Sequence, residues 1–336
     1  MGSRRLARVT LDPADAASNE ALGRLCRDKD LLTCKQVFAL GPFALRYELD
    51  LLPAEAERLL DAVSDDVAPR PATALELKQR VEMNTLPTGL ELIDHKLLGG
   101  VSARSVTELV GAPGVGKTQF SMMMSVLALR QAASRAAPGE RYGVVYLDTE
   151  AGFRSERMVQ MAESLFPPIL SEACQQLGSR VHYLHLTSSR ALMAALDQLE
   201  SLVIEHGIRL VVLDSAAALV RKEYGRDNIA ERQRLLGQQA AILKRIAENF
   251  AIPVLVTNQM TTHRSEIVAG DGNEPTEQLA AALGTSWAHA VNTRLELQRG
   301  ADGRRELSIT KSPVSSACAL PVELTTEGLV AVDPTE

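Results

Sequence analysis

The sequence predicts an α/β protein, with a mostly parallel sheet flanked by helices, antiparallel strands at one edge, and a small all-helical domain ahead of it. Three observations predict this class. Between residues 89 and 336, short apolar β-branched runs alternate with long helical stretches, the pattern of parallel strands covered on both faces. Beyond the last long helical stretch, three apolar segments follow one another with only turns between them, as antiparallel strands do. Residues 1–67 instead carry apolar positions at three- and four-residue spacing, the period of helices.

The elements follow in chain order. Helices are expected over 21–27, 34–39, 42–49 and 54–63, with Thr33 and Pro53 as start signals. Residues 68–88 contain Pro69, Pro71 and Pro87 in a mixed polar composition and read as an extended linker. From residue 89 onward, strands are expected over 105–110, 143–147, 181–186, 208–213 and 252–257. Helices are expected over 117–135, 154–165, 190–206 and 228–250. Edge strands over 293–297, 305–310 and 320–324 complete the sheet, Ala301-Asp302-Gly303 being a hairpin signal. The chain length of 336 residues suits one large and one small domain at roughly 100 to 200 residues each.

Composition narrows the function. Lys plus Arg number 36 against 42 Asp plus Glu, a net charge of −6, which argues against coating nucleic acid or anionic membrane through bulk positive charge. Apolar residues at 46% with 23% charged exclude a wholly disordered chain. The longest apolar stretch, 210–220, is interrupted by Asp214 and Ser215 and falls short of the roughly 18 residues of a membrane span, so a soluble protein is expected. Residues 1–11 carry arginines but no apolar run of a secretory signal. Cys26, Cys34, Cys174 and Cys318 are too far apart for a paired metal or redox motif, and reduced thiols in a cytosolic or nuclear compartment are expected.

Gly111-Ala112-Pro113-Gly114-Val115-Gly116-Lys117-Thr118 matches a phosphate-binding loop without a mismatch. Glycines at this spacing let backbone N–H groups wrap phosphates at the start of a helix. Lys117 is expected to reach the β and γ phosphates of ATP, and Thr118 to ligate Mg²⁺. Leu210-Val211-Val212-Leu213-Asp214 is an apolar strand ending in a carboxylate, the pattern of the second nucleotide motif. Tyr146-Leu147-Asp148-Thr149-Glu150 ends what reads as the strand next to the phosphate loop, which suits Glu150 to orient water as a general base.

These motifs, together with Arg154-Ser155-Glu156-Arg157, Thr257-Asn258-Gln259, Val220-Arg221-Lys222-Glu223, Thr261-Thr262-His263 and Lys311-Ser312-Pro313, resemble the RecA-like recombinase family in its eukaryotic paralogue branch, nearest the B-type subgroup. The resemblance covers most of residues 75–332. It implies a RecA-like ATPase core preceded by a helix-hairpin-helix-like domain, nucleotide contacts from Gly111 to Gln119, a catalytic Glu150 assisted by Lys117, and Asp214 on Mg²⁺. It further implies Arg157 stacked on adenine and Gln259 as a polar sensor between γ phosphate and a DNA loop.

The family's first DNA loop corresponds to 221–231, so Arg221, Lys222, Arg226 and Arg232 become candidate DNA contacts and Tyr224 a candidate base-stacking group. Its second loop corresponds to 261–284, whose charges are Arg264 against Glu266, Asp271, Glu274 and Glu277, poor chemistry for gripping a phosphate backbone. The N-terminal turn Asp50-Leu51-Leu52-Pro53 lacks the family's glycine, and residues 1–67 hold nine basic against twelve acidic residues, which suits a protein-docking module. The anchor pair that a recombinase inserts into its neighbour falls on Pro71 and Ala74, without the aromatic. Lys311 stands where strand-exchange members carry an aspartate, and is expected at a subunit interface.

The resemblance thus implies an ATP-binding, slowly ATP-hydrolysing paralogue in the nucleus. Such a protein assembles with other paralogues, the C-type first and then the D-type and X-type, touches single-stranded or branched DNA weakly or through the complex, and supports homologous recombination repair. A self-polymerising strand-exchange recombinase and an assembly module with a nearly inactive site are the alternatives.

Overall fold

The computed structural model describes residues 6, 9, 16–28, 33–68, 71–76, 84–165, 178–224, 228–259 and 284–332. The chain divides into two compact units, 1–79 and 80–336.

The first unit is built on helices α1 (Ala16–Asp28), α2 (Cys34–Leu49) and α3 (Pro53–Val67). Their apolar faces close on Leu25, Val37, Leu45, Leu49, Leu59 and Val63, all buried. Thr33 starts α2 through a capping box: its hydroxyl accepts from the Gln36 N–H, and the Gln36 side chain accepts from the Thr33 N–H at 2.9 Å. The two helices expected over 34–49 form one, kinked where Gly41 leaves helical geometry (φ 69°) ahead of Pro42, which has no N–H to offer the turn before it. At the turn without glycine, Asp50 itself takes the left-handed conformation (φ 53°) and donates its N–H to the Arg46 carbonyl. The stretch expected to be extended departs from that reading. Thr73 and Glu76 cap each other's backbone N–H groups, at 2.7 and 3.2 Å, and residues 74–76 are helical. The Thr-x-x-Glu spacing that encodes this box was legible in the sequence. Pro71 and Ala74, both exposed, flank the start of that turn.

The second unit opens with a two-stranded ribbon of β1 (Thr85–Leu86) and β2 (Val101–Ser102) around α4 (Glu91–Lys96). The main sheet contains β3 (Val106–Gly111), β4 (Gly143–Asp148), β5 (Val181–His185), β6 (Ile208–Asp214), β7 (Val254–Gln259), β8 (Thr293–Arg299), β9 (Arg305–Lys311), β10 (Cys318–Thr325) and β11 (Gly328–Ala331). Connecting helices are α5 (Lys117–Arg135), α6 (Ser155–Leu165), α7 (Ser189–His206), α8 (Ala218–Glu223), α9 (Ile229–Phe250) and α10 (Gly284–Ala290). The nine strands run in the order β11-β10-β9-β8-β3-β7-β6-β4-β5. β3 to β8 pair in parallel, and β8 to β11 are antiparallel. β11 is an edge strand beyond those the sequence pattern suggested.

Alternate residues of each parallel strand enter opposite cores. Leu109, Val144, Tyr146 and Val212 pack with Phe120, Met124 and Met161 of α5 and α6. Val106, Val145, Leu147 and Val211 pack with Leu199, Leu243 and Trp287 of α7, α9 and α10. Strands buried on both faces read as continuous apolar runs, which is why the sequence located them so closely. Their order was less legible: β3 lies between β7 and β8, and β7 and β6 separate it from β4. The reading of Tyr146–Glu150 as the strand beside the phosphate loop is therefore corrected. In-register parallel pairing nonetheless brings Gly111, Asp148, Asp214 and Gln259 to one end of the sheet, the end at which open α/β sheets hold ligands.

Candidate nucleotide-binding site

The phosphate loop joins β3 to α5. Gly116 caps α5 at φ 123°, a conformation strained for any side chain. Gly111 has the opposite constraint, since a Cβ there would lie 2.4 Å from the Leu297 carbonyl oxygen. The antiparallel strands thus form a floor under the loop, and the Arg305 guanidinium strengthens it by donating Nε–H to the Val115 carbonyl at 3.0 Å. The buried Lys117 ammonium donates to the Gly111 and Ala112 carbonyls, each at 2.9 Å. Burial lowers its proton affinity, while the Glu150 and Asp214 carboxylates oppose that shift and Arg221 adds to it.

Asp214 ends β6 almost fully buried. Thr118 Oγ1 donates to its Oδ2 at 2.7 Å, Tyr146 donates to the same oxygen at 2.9 Å, and Thr257 Oγ1 donates to Oδ1 at 2.5 Å. Burial raises the Asp214 carboxyl above its ordinary range, the three hydroxyls pull it down, and Glu150 adds a smaller upward push. Burial and the Asp214 charge in turn hold the Tyr146 phenol well above its usual value. A threonine hydroxyl and a carboxylate oxygen at hydrogen-bond distance are hard oxygen donors of the type Mg²⁺ selects. The glycine-lined loop likewise suits a polyphosphate. The residues therefore fit both groups.

Glu150 lies beyond the end of β4 on a turn organised by Asp148, whose carboxylate accepts from the Glu150 and Phe153 N–H groups, each at 3.0 Å. Ser215 Oγ donates to Glu150 Oε1 at 2.5 Å, and Gln259 Nε2 reaches both Glu150 oxygens at 3.1 and 3.2 Å. Arg221 closes the chain of contacts by donating to the Gln259 backbone carbonyl at 3.0 Å. Glu150 and Gln259, expected separately as general base and polar sensor, touch each other. Ser215, Tyr146 and Thr257 are additions that sequence reasoning missed, although Ser215 adjoins Asp214 and Thr257 sits two residues before Gln259.

Other expected residues land differently. Arg157 donates Nε–H to Gln119 Oε1 at 2.8 Å and directs further N–H groups to Gln160 and to the Thr325 and Thr326 carbonyls. It ties α5, α6 and the β10–β11 turn together and pairs with no carboxylate among the described residues. Arg221 and Lys222 occupy the last turn of α8, with Lys222 exposed. Tyr224 packs partly buried against the α7/α9 core. Arg232 is half-buried beside Arg221, whose charge it disfavours. Arg226 and nearly all of the second expected DNA loop lie outside the described residues. Lys311 ends β9, an inner strand, at the end of the sheet away from the phosphate loop, and its ammonium donates to the Ala288 and Val291 carbonyls at 2.7 and 2.5 Å.

A nine-stranded sheet of this order, with a phosphate loop after its central strand and acids converging at the strand ends, defines a RecA-like nucleotide-binding protein. The Rad51 family model matches residues 79–332. The chain is 38% identical over 353 aligned positions to DNA repair protein RAD51 homolog 2 of Mus musculus, covering 98% of each protein. It is 38% identical over 359 positions to the Homo sapiens protein of that name, covering 100% of this chain and 91% of the other. To the Arabidopsis thaliana protein it is 32% identical over 321 positions, covering 90% and 85%. The chain belongs to the Rad51 family.

Proposed function

We propose that this chain binds ATP with Mg²⁺, hydrolyses it slowly, and works in homologous recombination repair as a paralogue assembled with related subunits. The observation that carries the reading is the convergence of Glu150, Ser215 and Gln259 beside a complete phosphate loop whose lysine senses the Glu150 charge. In this reading Lys117 and the loop N–H groups hold phosphate oxygens, and Thr118 and Asp214 hold the metal. Bound Mg²⁺ supplies charge stabilisation at the phosphates. Glu150 orients a water and takes its proton at a carboxylate oxygen, while Ser215 and Gln259 fix the carboxylate's direction. Arg157 borders the nucleotide, and Gln119 holds its guanidinium in place.

Retention of a labelled ATP analogue tests the assignment: Lys117→Ala is expected to abolish it, and unaltered retention would reject the site. Glu150→Gln should keep binding within about twofold and slow turnover by about 10²-fold or more, because only the base is lost. Equal turnover would remove Glu150 from the mechanism.

The relatives' shared name as DNA repair proteins supports the cellular role and a nuclear location. The helical unit, with its acidic balance, and the linker carrying Pro71 and Ala74 are proposed as docking elements for other paralogues, the C-type first and then the D-type and X-type. Arg221, Lys222, Arg226 and Arg232 are proposed to touch single-stranded or branched DNA within the complex.

A further inference from the structure

Glu108 is a fully buried carboxylate on β3 that no step above uses. Its Oε1 accepts from Asn258 Nδ2 at 3.0 Å and from Trp287 Nε1 at 2.9 Å, and its Oε2 accepts from Arg294 Nε at 2.7 Å. Both oxygens of this buried carboxylate are engaged, and loss of one partner is expensive. The donors' positions give the cluster its meaning. Arg294 lies opposite Glu108 on β8. Asn258 immediately precedes Gln259 on β7, and Trp287 belongs to α10, so residues 260–283 connect two elements that meet on one oxygen atom. Successive strand residues face opposite sides, so the backbone that Asn258 fixes on the α9/α10 side is the same backbone that presents Gln259 to Glu150. Lys311 reinforces the far side by capping the carbonyls at the end of α10.

We propose that Glu108 is a positioning residue whose carboxylate ties the end of β7 to α10, holding Gln259 against Glu150 and setting both flanks of residues 260–283 from one buried point. A buried ion pair serving stability alone would loosen only what is cut. A tie transmits, and that difference is measurable.

Hydrogen exchange on the full-length chain reads it directly. Trp287→Phe, with Val291→Ala as the control for lost volume, keeps an aromatic ring, smaller than the indole, and removes the N–H. It is expected to speed exchange about tenfold in residues 284–290 and, through Glu108, also at Thr257, Asn258 and Gln259. Val291→Ala, a cavity beside the same helix that leaves Glu108 untouched, should speed exchange near α10 alone. Acceleration confined to 284–290 in Trp287→Phe, or equal spread in both variants, would overturn the proposal. A second measurement rests on the hydrolysis proposed above. Asn258→Leu should lower single-turnover hydrolysis about tenfold while the Kd of a fluorescent ATP analogue stays within about twofold. An unchanged rate in a variant that binds the analogue would overturn the link to Gln259. A wild-type chain that fails to bind the analogue would instead reject the nucleotide reading, and the exchange data would then decide the tie alone.

Discussion

Burial raises the Asp214 carboxyl and lowers the Lys117 ammonium, so each of these residues carries its charge at the expense of the nucleotide-free fold. For Asp214 the folded state binds its proton more readily than the unfolded chain does. Stability from this group therefore falls as pH rises from the unfolded value of about 3.9 through the raised folded value. Asp214→Asn should consequently be more stable than wild type at neutral pH while losing metal-dependent nucleotide binding, and the stability gap should narrow as pH falls through that window. Urea unfolding of both proteins across the acid range is the check, and a gap independent of pH would remove the buried charge as its cause. Gly111 yields a second expectation at this scale. Its Cβ would meet the Leu297 carbonyl, so Gly111→Ala should displace the phosphate loop and weaken analogue binding at least tenfold, since backbone cannot yield as a side-chain tip does. The motif residues were legible because their chemistry is local. The contacts of Arg157 were not, since the Thr325 and Thr326 carbonyls that hold it lie some 168 residues away, and a guanidinium suits carbonyls and aromatic rings alike.

At the scale of elements, the periodicity located the long helices and central strands of the second unit to within two residues, but it began α1 at residue 21 instead of 16 and ended α3 at 63 instead of 67. The edge strand β11 and the capped turn at Thr73 were missed, both being short elements made by tertiary pairing or a cap rather than by a long apolar pattern. The position of β4 also escaped, because strand order is set by which crossovers pack together and leaves no trace in the strands themselves. Caps are where single residues control whole elements. Thr33→Ala removes half of the box that starts α2 and should cost about 1 kcal/mol, visible as a lower unfolding midpoint of the 1–79 unit with analogue binding unchanged.

For the whole molecule, the two units carry separate cores, and a fragment of residues 1–79 is expected to unfold cooperatively by circular dichroism; a featureless melt would show that its core is insufficient alone. On the proposal that Pro71 stands at the anchor position of a docking linker, the missing aromatic bears on assembly, because truncating such an anchor commonly costs over about 2 kcal/mol, roughly thirtyfold per junction, and a filament multiplies that loss. Sedimentation of the purified chain with ATP and single-stranded DNA should therefore find no long polymers, whereas self-assembled filaments would restore the strand-exchange reading.

The β10–β11 hairpin has a genetic consequence. Its turn supplies the Thr325 and Thr326 carbonyls to Arg157, and at Gly328 it closes on Met123 of α5, leaving no room for a Cβ. A premature stop codon at position 325 would remove β11 and the turn before it, release the arginine that binds α6 to the start of α5 and uncover the helix that carries Lys117. An allele of that kind is expected to behave in cells as a loss of the nucleotide site.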